Sequence, residues 1–332
     1  MASCRQIASR LVAPGKGVLA ADESIATMSG RLEKAGVEAT VENRRQYREL
    51  LAATPGLAEG ASGIIFCDET LNQTFADGTP FAEAVRSMGI LPGIKVDTGA
   101  RPCPGLPGET VTEGLDGLPA RLERYVTIGA AFAKWRAVYI INEDLPSAGA
   151  VHSNANVLGR YAAACQAAGL VPIVEPEVLM DGAHPIERCA QVTAEVHAAV
   201  REELELLGVD LAGIVLKPNM VIEGRDHPVA ASPERVAAAT VEVLAAWPDE
   251  LVGVAFLSGG QPPGRATANL EAMQHLPTPW PLTFSFGRAL VDPALAAWRG
   301  DSAMVAAGQT ALAERVAANA AAVRERARLQ PA

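Results

Sequence analysis

The chain has 332 residues, 49% of them apolar but only 5% aromatic, and a formal net charge of −10. That length suits one large α/β domain or two ordinary ones, with Ala, Val and Leu filling the core. The acidic balance argues against a nucleic-acid surface, which needs a basic face to neutralise phosphates. A small anionic substrate is compatible with it if positive charge gathers locally in a cleft.

The first residues, MASCRQIASRLVAPGKG, contain no apolar h-region, and no run approaches the ~18 apolar residues of a membrane helix. Cys4, Cys67, Cys103, Cys165 and Cys189 are dispersed without a C-x-x-C spacing, as free thiols in a reducing compartment would be. These features predict a soluble, cytoplasmic protein with no nucleic-acid or membrane partner.

Short apolar, β-prone runs fall at residues 17–21, 63–66, 92–96, 133–139, 170–174, 213–216, 253–257 and 282–286. Amphipathic helical stretches separate them. SPERVAAATVEVLAAW opens with Ser232 as N-cap, Pro233 at the first helical position and Glu234 at the positive end of the dipole. PIERCAQVTAEVHAAVREELELLG runs at helical period and stops at Gly208. Eight β-then-α units predict a single (β/α)8 TIM barrel over residues 1–332, with a C-terminal helical segment at about 300–328. A doubly wound open sheet is the weaker alternative, because GVLAADES stands where its G-x-G-x-x-G turn would be.

In such a barrel, active groups come from the carboxyl ends of the strands. The first strand delivers Asp22 and then Ser24, and the third carries Lys95 with Asp97 two residues on. The fourth carries Lys134 and Arg136, which face the same way because strand side chains alternate. The fifth leads to Glu175-Pro176-Glu177. The sixth, in GIVLKPNM, ends on Lys217, where Pro218 stops the ladder for want of an N–H. The seventh leads to Ser258-Gly259-Gly260, and the eighth to Ser285-Phe286-Gly287-Arg288. Taken singly, each has a bland reading: a lysine snorkels, Glu175 balances a buried charge, Asp22 caps a helix. Gathered on one barrel face, so many charges would be costly for stability alone, and they point to a site.

Two anion seats are expected. LSGGQ offers backbone N–H groups, and FGR adds Gly287 and the fork of Arg288, both after the last two strands, where barrels often hold phosphate. Ser24, Thr27 and Lys95 make a second cluster of hydroxyls and a cation. No cofactor or metal is expected, since the histidines never pair at i, i+2 or i, i+4; Cys–His nucleophilic catalysis has no better footing, and G-x-S-x-G is absent. His197 falls in a helical pattern as a packing or surface residue.

GVLAADES, ENRRQYRELL, GIKVD, FAKWRAVY, NANVLGRYA, VPIVEPE, LKPNM, FLSGGQ and LTFSFGRAL follow one another in this chain as they do in class I fructose-1,6-bisphosphate aldolases, which it resembles from about Gly15 to about Ala320. The resemblance implies metal-independent, reversible cleavage of fructose 1,6-bisphosphate to dihydroxyacetone phosphate and glyceraldehyde 3-phosphate, in glycolysis and gluconeogenesis. It also implies a homo-oligomer, a tetramer in the family. By the same resemblance Lys217 matches the imine-forming lysine, and Glu175 the acid/base that expels water from the carbinolamine, with Glu177 beside it. Asp22 matches the group that handles the C4-hydroxyl proton; Lys134 and Arg136 match site cations. Ser258, Gly259, Gly287 and Arg288 match the C1-phosphate positions, and Ser24, Thr27, Arg31 and Lys95 resemble residues around the other phosphate.

The chemistry of the residues agrees. A lysine attacks a ketone only as the free amine, and near neutral pH an ordinary lysine is almost wholly ammonium. Burial at a strand end and the like charge of Lys134 would both favour the neutral form. The protonated imine then serves as the electron sink for cleavage. The sequence departs from the family in three places. Animal members end in a tail with a terminal tyrosine implicated in protonating the enamine, whereas this chain ends RERARLQPA, so another acid or water is expected to do so. Phe286 stands where tyrosine is common, and Tyr139 with Ile140 is expected to alter the pocket floor. Other imine-forming barrel enzymes, such as a transaldolase or an aldolase for ketose 1-phosphates or sedoheptulose bisphosphate, are the enzymatic alternatives. A silent scaffold would need a broken Lys–Glu–Asp set, and here the set is complete.

Overall fold

In the computed structural model, which describes residues 2–324, the chain winds through ten strands in order. They are β1 (Gly17–Ala21), β2 (Ala61–Phe66), β3 (Leu91–Lys95), β4 (Gly99–Cys103), β5 (Leu106–Glu113), β6 (Phe132–Tyr139), β7 (Val171–Val178), β8 (Val215–Leu216), β9 (Val254–Phe256) and β10 (Leu282–Phe286). Eight of them close into a parallel barrel in the order β1-β10-β9-β8-β7-β6-β3-β2, and helices surround it, as expected of a (β/α)8 barrel. The remaining two, β4 and β5, form an antiparallel hairpin beyond the end of β3.

Beyond shifts of one or two residues at strand ends, two strands and one hairpin differ from the sequence expectation for identifiable reasons. Pro176 suggests that β7 should stop at Val174, yet pairing with β6 runs on to Val178, whose N–H donates to the buried Asn219 side chain at 2.9 Å. β8 is only two residues long because Leu211–Gly213 turns as a 3₁₀ helix before it. The hairpin carries no apolar alternation, because only Glu109 and Thr112 of its strand residues are buried. Side chains from the helix Ala148–Ala167 and its cap hold it instead: Asn154 bonds the Thr112 N–H and Thr110 carbonyl, and Ser147 meets Glu109. The helix Val305–Arg324 packs on the outside; the rest of the C-terminal helical segment expected at about 300–328 lies outside the described residues.

Two apolar layers form. The larger lies between strands and helices. The smaller fills the barrel interior, where Val18, Ala20, Ile65, Leu91, Phe132, Val171, Ile173, Val215 and Ala255 meet Ala8 and Leu11 of the N-terminal helix Cys4–Leu11. That helix plugs the amino-terminal end of the barrel. Its capping box, Ser3 with Gln6, fixes where it begins. Phe132 is the bulkiest interior residue, and it fits because Gly93 on β3 and Gly63 on β2 leave room for its ring. A Cβ at position 93 would lie 2.2 Å from the ring carbons. Gly93→Ala should therefore destabilise the protein by about 1–3 kcal/mol in chemical denaturation, the usual cost of overpacking a core. A variant as stable as the parent would contradict this packing.

Candidate active site

Along each barrel strand the inward-facing side chains alternate by two, and this alternation runs from apolar floor to charged mouth. On β7, Val171 and Ile173 belong to the interior layer, and the next positions on that face are Glu175 and Glu177. On β6, Phe132 gives way to Lys134 and Arg136. On β1, Val18 and Ala20 lead to Asp22, and on β8, Val215 leads to Lys217. A cavity of about 1440 Å³ opens over these ends. Every residue that the sequence singled out as a site candidate lines it: Asp22, Ser24, Thr27, Arg31, Lys95, Lys134, Arg136, Glu175, Glu177, Lys217, Ser258, Gly259, Gly287 and Arg288.

At the centre, buried charges form a chain of ion pairs. Glu175 Oε1 lies 3.0 Å from Lys217 Nζ, and its Oε2 lies 2.7 Å from Lys134 Nζ. Lys134 Nζ in turn donates to Asp22 Oδ2 at 2.9 Å. Lys134, Glu175 and Lys217 are each no more than 4% exposed. Burial opposes ionisation of Asp22, yet the charges of Lys134 and then Lys217 outweigh it and hold this carboxyl well below the usual carboxylate range. Burial likewise works against the Lys134 ammonium, but Asp22 and Glu175 hold it well above the ordinary lysine value. Sequence reasoning placed Lys134 against Lys217 as a like charge; the structure inserts Glu175 between them, so the pair shares a counter-ion. Beside this chain, Arg136 Nε pairs with Glu177 Oε2 at 2.5 Å. Burial would raise the Glu177 carboxyl, but Arg136 draws it below its ordinary value.

Backbone hydrogen bonds fix the position of Lys217. Its N–H still joins the ladder, donating to Val174 at 2.8 Å, and the Pro218 carbonyl accepts from Leu257 at 3.0 Å. The absent Pro218 N–H ends the ladder just after Lys217.

The two loops expected to seat anions are built differently. Gly259 and Gly260 both take positive φ, 57° and 78°, which frees the turn after β9 for a tight approach of backbone to ligand. Arg288 packs its guanidinium over Gly260, where a Cβ would come within 3.1 Å, and so joins the two halves of the first seat. Gly287 precedes the helix Arg288–Trp298, whose amino end faces the cavity with Arg288. Arg288 makes no ion pair with any described residue. At the second seat Ser24 caps the helix Ile25–Lys34 through the Thr27 N–H, and the two hydroxyls lie 3.0 Å apart. Capping and cavity lining are thus the same loop. Arg31 there is engaged by Glu23 and, at 2.6 Å, by Asp292.

Glu23 and Asp292 are cavity residues that sequence reasoning missed. Nothing in their spacing links them, since they come from opposite ends of the chain. Ser285 has no assigned role from sequence, yet its buried hydroxyl has no hydrogen-bond partner among the described residues and lies in the cavity wall. Tyr139 and Ile140 do not reach the cavity floor, contrary to expectation. Tyr139 alternates with the inward-facing Val138 and is buried on the helix side. Phe286 is also buried away from the lining. His197 packs inside against Trp247, whose indole N–H donates to its Nδ1 at 3.2 Å. Among the described residues, no three His, Cys, Asp or Glu side chains gather as a metal would require, and no helix is long and apolar enough to cross a membrane.

Comparison with known proteins gives this geometry a family. The sequence model of fructose-bisphosphate aldolase class-I matches residues 3–330. A probable fructose-bisphosphate aldolase class 1 of Xanthomonas campestris pv. campestris is 52% identical over 298 residues, 89% of this chain and 89% of that protein. The fructose-bisphosphate aldolase of Drosophila melanogaster is 51% identical over 319 residues, 95% of this chain and 88% of the other. A crystal structure of the Plasmodium falciparum enzyme with TRAP and a small-molecule inhibitor matches with a TM-score of 0.95 at 43% identity, over 97% of this chain and 94% of that one. A family model matched over nearly the whole chain and relatives about half identical over most of it show that the chain belongs to the class I fructose-bisphosphate aldolase family.

Proposed function

We propose that this chain cleaves fructose 1,6-bisphosphate reversibly into dihydroxyacetone phosphate and glyceraldehyde 3-phosphate through a Schiff base on Lys217, without a metal. The observation that carries the reading is the Lys217–Glu175–Lys134–Asp22 chain of contacts at 3.0, 2.7 and 2.9 Å.

Glu175 is within hydrogen-bond reach of the Lys217 amine and takes its proton, freeing the lone pair to attack the C2 ketone. The same carboxyl returns a proton to the carbinolamine hydroxyl, which leaves as water as the imine forms. The protonated imine draws in the C3–C4 bonding electrons to give an enamine on the three-carbon half. At C4 the hydroxyl becomes an aldehyde, and its proton passes to Asp22. Lys134 keeps Asp22 as the carboxylate, which is the form that accepts a proton. Protonation of the enamine and hydrolysis of the imine then release the ketone product.

Three carboxylates and three cations meet at the centre: Asp22, Glu175 and Glu177 with Lys134, Arg136 and Lys217. The inner cluster is therefore close to neutral. Two phosphates must then be held by charges and donors outside it. Ser258, Gly259, Gly287 and Arg288 take the C1 phosphate; Ser24, Thr27, Arg31 and Lys95 take the other. The reading carries with it a single-domain cytoplasmic enzyme, supported by five free cysteines, and a homotetramer, supported by family membership.

Lys217→Met should lower kcat for bisphosphate cleavage by about 10⁴-fold or more, because no other group replaces the nucleophile. The parent activity should persist in EDTA. A methionine variant that keeps parental turnover would overturn the assignment. Lys134→Met should cost about 3–5 kcal/mol in denaturation, since it strands Asp22 and Glu175 without their common cation. The sign with pH follows from the lowered Asp22 value. Its pairing contributes fully above the unfolded aspartate pKa, about 3.9, and is lost as pH falls through its folded value. Lys134→Met should therefore raise the pH of acid unfolding; an unchanged midpoint would contradict the pairing.

A further inference from the structure

One buried carboxylate of the cavity has no part in the chemistry above. Asp97 follows β3, and its side chain is only 3% exposed. Oδ1 pairs with Lys95 Nζ at 2.6 Å and accepts the Gly99 N–H at 3.2 Å. Oδ2 accepts the Arg136 N–H of the adjacent strand β6 at 3.3 Å. Lys95 Nζ donates a second time, to the Asp97 carbonyl at 2.7 Å. One residue thus holds the lysine head at two points and is itself fastened both to β6 and to the start of the hairpin.

That arrangement is more than charge neutralisation demands. A lysine head on a four-carbon stem samples many rotamers, and fixing it in advance removes an entropic cost from ligand binding. The fixed ammonium lines the same cavity as Ser24 and Thr27, whereas the other cation of that seat, Arg31, is engaged by Glu23 and Asp292. We propose that Asp97 is a positioning residue: it aims Lys95 at the second phosphate and so sets the preference for a ketose bisphosphate over a ketose 1-phosphate. The assignment rests on the Schiff-base reading above.

The test compares kcat and KM on fructose 1,6-bisphosphate and fructose 1-phosphate for the parent, Asp97→Asn, Lys95→Met and the double variant. Asp97→Asn should reduce kcat/KM for the bisphosphate about tenfold more than for the monophosphate, chiefly through KM, as loss of a preset binding contact does. In the Lys95→Met background the same change should leave the substrate ratio nearly where Lys95→Met put it, because the two residues act as a unit. Asp97→Glu keeps the charge but displaces the carboxylate by one methylene; it should show the same selective loss, and it serves if the amide variant does not fold. Equal losses on both substrates would make Asp97 a structural brace, and tighter bisphosphate binding in Asp97→Asn would make it a mere screen of Lys95. Either result, or additive effects in the double variant, overturns the proposal. A parent protein that cleaves neither substrate overturns the Schiff-base reading instead, which separates the two failures.

Discussion

Glu175 divides its two oxygens between Lys217 and Lys134, and the rest of the site is arranged around that division. A buried lysine without a counter-ion would lose its proton or force the fold open; two of them side by side would be worse. Sharing one carboxylate makes both tolerable and, on the proposed mechanism, leaves the Lys217 amine within reach of the carboxylate that takes its proton. Asp22 completes the balance on the far side of Lys134. The barrel is what makes this affordable: β6, β7 and β8 lie side by side, with Lys134 opposite Ile173 and Arg136 opposite Glu175 in register. Below them the interior is apolar and is met by the helix Cys4–Leu11, so the charges open on the mouth.

The same balance underlies the proposed phosphate seats. Inner cations are matched by inner carboxylates and have little attraction to spare. Arg288 has no described ion-pair partner, and its guanidinium rests on Gly260 beside the turn that Gly259 opens. The second seat is built differently, from cap hydroxyls and cations already held by carboxylates. A ligand there meets groups set in place before it arrives. An acidic protein can in this way accommodate a sugar with two phosphates, since the relevant field is local and not the net charge.

Much of this was legible in the sequence because strand side chains alternate with a fixed period. Val171, Ile173, Glu175 and Glu177 occupy every second position, so an apolar run that turns charged on the same face marks the mouth of a barrel. Lys217 stood out because Pro218 follows it. What remained hidden depends on contacts between distant segments. Glu23 and Asp292 engage Arg31 from opposite ends of the chain, and the sharing of Glu175 between two lysines is a matter of register, which spacing within one strand does not carry. The hairpin β4–β5 was missed because side chains from the helix Ala148–Ala167 and its cap secure it, with little apolar pattern of its own. The inference that Tyr139 shapes the pocket failed for a simple reason of parity: it lies one residue from Val138 and so on the opposite face.

The central claim is that the amine of Lys217 forms the covalent bond to the ketone. Incubation with dihydroxyacetone phosphate and borohydride in the presence of EDTA, followed by peptide mapping, tests it most directly. A single reduced adduct on the peptide containing Lys217 is the predicted result. An adduct on another lysine, or none at all, would contradict the account.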